Sequence, residues 1–197
     1  MCGIVGKLIG AGGAKVDPQL VSRMTAALRH RGPDAEGVWT AAGIGLGSRR
    51  LAVIDLSEQG RQPLSNEDGA IRLVFNGEIY NFRELRHELE TRGHRFRSNS
   101  DTEVIVHGYE EMGFDFVQSL NGMFAIALWD RAARRGMLIR DRLGIKPLYY
   151  ARLDNYLVFG SEIKAVLSFP GAGNEIDLEA LDLYLTLRYV AGTQTIF

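Results

Sequence analysis

The chain has 197 residues, 46% hydrophobic and 24% charged, the balance of a globular protein with a substantial core. A formal net charge of −1 gives no electrostatic reason to expect nucleic acid or an anionic membrane as partner. A single cysteine excludes an intrachain disulfide and a cysteine-based zinc site, and no stretch approaches the about 18 apolar residues of a membrane-spanning helix.

That cysteine stands at position two of Met1-Cys2-Gly3-Ile4-Val5-Gly6. The apolar run 4–9 reads as a buried strand with Cys2 at its leading end. Gly10-Ala11-Gly12-Gly13-Ala14-Lys15 then interrupts it, so no apolar signal segment forms, and a lone thiol without one suits a reducing cytoplasm. The same stretch lacks the Gly-Lys-Ser/Thr ending of a phosphate loop and reads as a turn. Asp17 as N-cap and Pro18 at the first helical position open a helix. Leu20, Met24, Ala27 and Leu28 share its buried face, and His30-Arg31-Gly32-Pro33-Asp34 ends it.

From Gly37 the pattern changes to short runs separated by turn residues. Strands are expected over 38–40, 44–48, 51–54 and 71–75, paired antiparallel. Gly43-Ile44-Gly45-Leu46-Gly47 lacks the spacing and the following helix of a dinucleotide fingerprint. Asn76-Gly77 is a hairpin signal. Asn81 with Glu84 has the form of a capping box for a second helix, and Asp101 is placed to cap a third that buries Val104, Ile105 and Tyr109. His87, His94 and His107 fall on or beside polar helix faces and read as solvated. Strands return over 123–129, 136–140, 148–151 and 156–159, followed by a short helix over 162–167. This segregated order is α+β. A last helix over 177–189 carries Leu178, Leu181, Leu183, Leu185 and Leu187 on more than one face, and such a helix wants burial on several sides.

Three constellations bear on chemistry. Removal of Met1 would give Cys2 a thiol and an α-amine of pKa about 7.7–8.0, a nucleophile with its own base. The alternatives are a small buried hydrophobe, or a Cys–His pair with His30 as base. The Asn76 side-chain amide and the Gly77 N–H offer two donors for an oxyanion, where the plain alternative is a type I′ turn. Arg50 offers a planar fork for a carboxylate, and Asp101 a partner for an ammonium. Together they suit the two ends of an amino acid; singly they read as a surface arginine and a helix cap.

These residues lie in stretches that carry a resemblance: 1–6, 28–34, 50–55, 76–81, 100–103, 121–125, 140–150 and 161–165. In this order they resemble the class II glutamine amidotransferase domain of glutamine-dependent asparagine synthetases. The resemblance implies a four-layer αββα sandwich of the N-terminal-nucleophile hydrolases, with two stacked antiparallel sheets. It implies that Cys2 is the nucleophile and that Asn76 and Gly77 form the oxyanion hole. It further implies that Arg50 and Asp101 clamp the ends of L-glutamine, and that Leu51, Ala52, Val53, Ile54 and Glu78 line the pocket. The family commonly has His where this chain has Ser48, and Ser where it has Ala52. Residues 1–176 correspond to the glutaminase domain and 177–197 to a linker helix. A further ATP-pyrophosphatase synthetase domain is expected to follow, in cis or in trans, and to bring the ATP and Mg. No cofactor or metal is expected in the glutaminase domain. The ammonia acceptor and the oligomeric state stay open, a homodimer included, as does a non-catalytic glutamine-binding role.

Overall fold

The computed structural model describes residues 1–9 and 14–197; the glycine-rich turn expected at 10–13 lies outside them. Strands β1 (Gly3–Ile9), β2 (Ala35–Ala41), β3 (Ile44–Arg50), β8 (Tyr149–Leu153) and β9 (Tyr156–Gly160) form one sheet in the order β2-β3-β1-β9-β8. Strands β4 (Leu64–Ser65), β5 (Ile71–Ile79), β6 (Gly122–Asp130) and β7 (Arg135–Arg140) form the other, in chain order. Every pairing is antiparallel.

Alternation along the strands builds three cores. Ile4, Leu46, Val74, Ala125, Ala127 and Phe159 meet between the sheets. The next residue along β1, Val5, points the other way, to helix α1 (Pro18–Ala26) and helix α5 (Ile163–Leu167) on the outside of the five-stranded sheet. On the far side, Leu73, Phe75, Phe124 and Ile126 pack against α2 (Phe82–Thr91) and α3 (Thr102–Met112). The layers are therefore helix, sheet, sheet, helix: an α+β, four-layer αββα sandwich. Full burial of a side chain such as Ile4 or Phe159 contributes roughly 1.5–3 kcal/mol, so the inter-sheet core is a main source of stability. Helix α1 starts as expected: Asp17 Oδ1 accepts the Gln19 N–H at 2.9 Å and Pro18 occupies the first turn. The short α4 (Phe116–Ser119) leads back to β6.

Four local expectations are corrected. Residues 51–54 are not a strand: β3 stops at Arg50, and the Ala52 N–H goes instead to Asp34 Oδ2 at 2.9 Å. Asn76-Gly77 is no hairpin turn, because β5 runs on to Ile79 and pairs with β6 along its whole length. The capping box at Asn81 does not form; its amide bridges Ser119 O and the Asn121 N–H, each at 2.9 Å. His107 is not solvated but 1% exposed.

Helix α6 (Leu178–Leu187) is capped by Asp177, whose Oδ1 accepts from the Glu179 and Ala180 N–H groups. Only Ala180 of this helix is buried, while Leu178, Tyr184, Leu185 and Leu187 are exposed. Among the described residues no helix is long and apolar enough to cross a membrane.

Candidate active site

A cavity of about 190 Å³ opens at the leading end of β1. It collects Cys2, Arg50, Leu51, Val53, Ile54, Asn76, Gly77, Glu78 and Asp101; of the residues singled out from the sequence as the glutamine site, Ala52 does not line it. Met1 also lies against it.

Cys2 is held by its neighbours on both sides. Its Sγ accepts the Leu51 N–H at 3.4 Å and donates to Leu51 O at 3.7 Å. Its carbonyl accepts from Arg31 Nε at 2.9 Å, and Arg31 Nη1 is braced by Glu162 Oε1 at 3.0 Å. Burial alone would raise the Glu162 carboxyl, but hydrogen bonds from His30, Arg31 and Lys164 bring its pKa down to about 2. His30 meets Glu162 at 2.8 Å and does not line the cavity, so the geometry offers no Cys2–His30 pair.

Strand β5 supplies the donors. Asn76 is 1% exposed, and its Nδ2 has no hydrogen-bond partner among the described residues. An unmade bond of this kind costs about 1–3 kcal/mol, which makes it a site to be explained. The Phe75 and Ile79 N–H groups point away from β6, to Gln62 Oε1 at 2.7 Å and Asp101 Oδ2 at 3.0 Å. Strand alternation sends the Gly77 N–H to the same edge, between them, beyond the end of β4. Phe124, opposite Gly77, spends its own N–H and carbonyl on Asp141, which fits this parity. A side chain at Gly77 would run into Met123 O and lie 2.8 Å from Phe124 Cα, so the close approach of β5 and β6 requires glycine here.

The charged groups sit at the walls. Arg50 is buried at the end of β3, where Nη1 donates to Ser57 O at 3.2 Å and Nη2 to Asp55 O. The guanidinium has N–H groups left over for a ligand. Asp101 is not the helix cap it resembles, since its Oδ2 reaches across to the Ile79 N–H. Burial pushes its pKa up to about 6; the Ile79 hydrogen bond opposes the rise and the Glu78 charge adds to it.

Sequence reasoning missed Arg31, Asp55, Gln62 and Lys146. Asp55 accepts from the Ser57 and Asn99 N–H groups, each at 2.8 Å, and so fixes the loop under Arg50. Gln62 ties β5 to Ser48, whose Oγ donates to Gln62 O at 2.8 Å. Lys146 is buried against the cavity with Nζ 3.6 Å from Met1 Sδ. A lysine between Ile145 and Pro147 was the available signal for it.

A larger cavity of about 570 Å³ adjoins Leu8, Ile9, Trp129 and Tyr156, at the other end of β1 and about 20 Å from Cys2 by strand rise. Among the described residues its lining includes Arg134, Arg152 and Asn155 but no cysteine.

The sequence profile of the glutamine amidotransferase domain matches residues 1–197, and the chain belongs to that family. It is 43% identical over 190 residues to asparagine synthetase (glutamine-hydrolyzing) 2 of Bacillus subtilis (strain 168), covering 94% of this chain and 25% of that protein. It is 40% identical over 200 residues to asparagine synthetase (glutamine-hydrolyzing) 1 of the same organism, covering 100% and 31%. A third relative, asparagine synthetase (glutamine-hydrolyzing) 3 of Arabidopsis thaliana, is 42% identical over 167 residues, covering 84% and 28%. The chain thus spans 25%, 31% and 28% of the lengths of these relatives. Among solved structures, the glutamine phosphoribosylpyrophosphate amidotransferase of B. subtilis matches with a TM-score of 0.71 at 22% identity, covering 85% of this chain and 43% of that one. The likeness shows the fold, the αββα sandwich described above.

Proposed function

We propose that this domain hydrolyses the side-chain amide of L-glutamine, with Cys2 as nucleophile and its own α-amine, freed by removal of Met1, as base. The α-amine takes the thiol proton as Sγ attacks the amide carbon, and the resulting oxyanion meets Asn76 Nδ2 and the Gly77 N–H. The proton then passes to the amide nitrogen, and ammonia leaves a thioester on Cys2. Water, deprotonated by the α-amine, attacks the thioester carbon; glutamate departs and the thiol is restored. Arg50 holds the substrate carboxylate, Asp101 its ammonium, and Leu51, Val53, Ile54 and Glu78 the walls.

The observation that carries this reading is the buried Asn76 Nδ2, unpartnered among the described residues, on a side chain that lines the same cavity as Cys2. In a hydrolase that donor has a partner only when the oxyanion forms, which is what transition-state stabilisation requires.

For the protein as a whole we propose that the ammonia is used by a synthetase domain, in cis or in trans, that forms asparagine from aspartate with ATP and Mg. The names and greater lengths of the relatives support this, as does the exposed apolar surface of α6 after residue 177.

A glutamine-analogue diazoketone should label the processed protein stoichiometrically at Cys2, with loss of ammonia release. Labelling that survives Cys2→Ala, or an active protein that retains Met1, would sink the mechanism. Glutamine binding with no ammonia release from the processed protein would leave a binding module only.

A further inference from the structure

A second polar cluster lies where α3 meets the loop after α2. Helix α3 presents His107 and Glu110 one turn apart, and His94 faces them from the loop after α2. Glu110 Oε2 lies 2.8 Å from His107 Nδ1 and 3.8 Å from His94 Nδ1, and one ligand atom from each of the three residues falls within 4.8 Å of the other two. None of these residues lines the Cys2 cavity.

The far nitrogens of both rings also face carboxylates. His94 Nε2 lies 3.2 Å from Glu111 Oε2, and His107 Nε2 lies 3.7 Å from Glu103 Oε1. Glu103 is itself fixed by the Arg97 and Ser98 N–H groups at 2.9 and 2.8 Å. The other oxygen of Glu110 is held by Asn66 Nδ2 at 2.8 Å. His94 is therefore one half of a carboxylate–histidine dyad, whereas the buried His107 Nε2 has no hydrogen-bond partner among the described residues, and the third carboxylate is anchored at its outer oxygen. Outer-shell partners of this kind fix ring orientation at metal sites.

Proton placement sharpens the point. A neutral imidazole carries one N–H, and each ring has its outer nitrogen toward a carboxylate acceptor. In the tautomer with the proton on Nε2 of both rings, both Nδ1 lone pairs face the Glu110 carboxylate oxygen. Three acceptors pointing at one another repel unless a cation, or a proton on His107 Nδ1, lies between them. Glu103, Glu110 and Glu111 add negative charge around two histidines, and Arg92 compensates only at the Glu111 edge.

We propose that His94 Nδ1, His107 Nδ1 and Glu110 Oε2 bind a divalent transition ion of the zinc type, with water as the fourth ligand. Two imidazoles and a carboxylate match that ion's preferences. Ligand atoms about 2.0–2.2 Å from a tetrahedral ion lie about 3.3–3.5 Å apart, so the side chains need shift by less than about 1 Å on average. The ion would clamp the α2–α3 loop onto the helix whose first residue follows Asp101.

The test uses Zn²⁺ and untagged protein carrying Cys2→Ser, which removes the competing thiol. Calorimetric titration should show one equivalent bound at micromolar affinity or tighter. The melting temperature should rise by roughly 5–10 °C at about a hundredfold excess of free Zn²⁺ over the Kd. His94→Ala and Glu110→Gln, at positions accessible enough to leave the fold intact, should each weaken binding at least about thirtyfold. Glu111→Gln, which touches only the outer nitrogen of His94, should weaken it about tenfold. No saturable binding to the Cys2→Ser protein, or equal binding by His94→Ala and Glu110→Gln, overturns the proposal; a cluster that holds protons alone gives the first result.

Discussion

Asp101 Oδ2 accepts the Ile79 backbone N–H at 3.0 Å, which ties the carboxyl proposed to meet the substrate ammonium to the strand that carries Asn76 and Gly77. Burial, set against that bond and reinforced by the Glu78 charge, leaves its pKa at about 6. A bound ammonium favours the carboxylate, so glutamine affinity should fall as pH drops through that value. Titration at about pH 5 should give a Kd about tenfold weaker than at neutral pH, and Asp101→Asn should abolish this dependence while weakening binding throughout. An unchanged Kd between the two pH values would count against Asp101 as the ammonium partner.

The same shift has a consequence for stability. A carboxyl whose folded pKa is raised from 3.8 to about 6 favours folding below the unfolded value, and that contribution is lost as pH rises through the folded one. Above about pH 6 the ionised, ligand-free site costs at most about 3 kcal/mol. Asp101→Asn should therefore melt higher than the parent protein at neutral pH and equally near pH 4. Differential scanning calorimetry without ligand measures both.

Asn76→Ala should lower glutaminase turnover by roughly 10²–10³ with a small change in KM, the scale of one lost oxyanion donor. Because Asn76 Nδ2 has no partner among the described residues, the variant should keep a melting temperature within a few degrees of the parent. Equal losses in turnover and in thermal stability would point to a structural role instead.

Glu162 acts at one remove, through Arg31 and the Cys2 carbonyl. Glu162→Gln should lower kcat about tenfold or more by loosening the thiol's placement, with KM nearly unchanged. The sign of its pKa shift makes a second forecast. A carboxyl lowered from 4.5 to about 2 stabilises the fold above its unfolded value and loses that contribution as pH falls through about 2. The melting-temperature gap between Glu162→Gln and the parent should thus be full at pH 7 and narrow below about pH 4.

Features set by neighbouring residues were legible in the sequence. Asp17-Pro18 starts α1 because cap and first turn are contiguous, and the apolar run of β6 is visible in its own residues. Features set by distant partners were misread. Asn76-Gly77 has turn chemistry, yet pairing with β6 overrides it. Asp101 has the form of a cap, yet Ile79 claims its carboxylate. His107 looked polar-faced because Glu103 and Glu110 flank it at helical spacing, but the His94 and Phe96 rings pack against it. Within the site, Cys2, Arg50, Asn76 and Asp101 could be proposed from residue chemistry, while Gln62 and Lys146 enter only through the long-range packing that brings them to the cavity.

Cys2 precedes the middle strand of a five-stranded sheet, and the very next layer of bonds is reciprocal: the Ile4 N–H donates to Ser161 Oγ at 3.0 Å and the Ser161 N–H to Ile4 O at 2.8 Å. Amides of β1 should therefore be among the slowest in the molecule to exchange with deuterium, opening only when the whole sandwich opens. A nucleophile mounted there has no local melting of its own, so thermal loss of activity and global unfolding should follow a single curve.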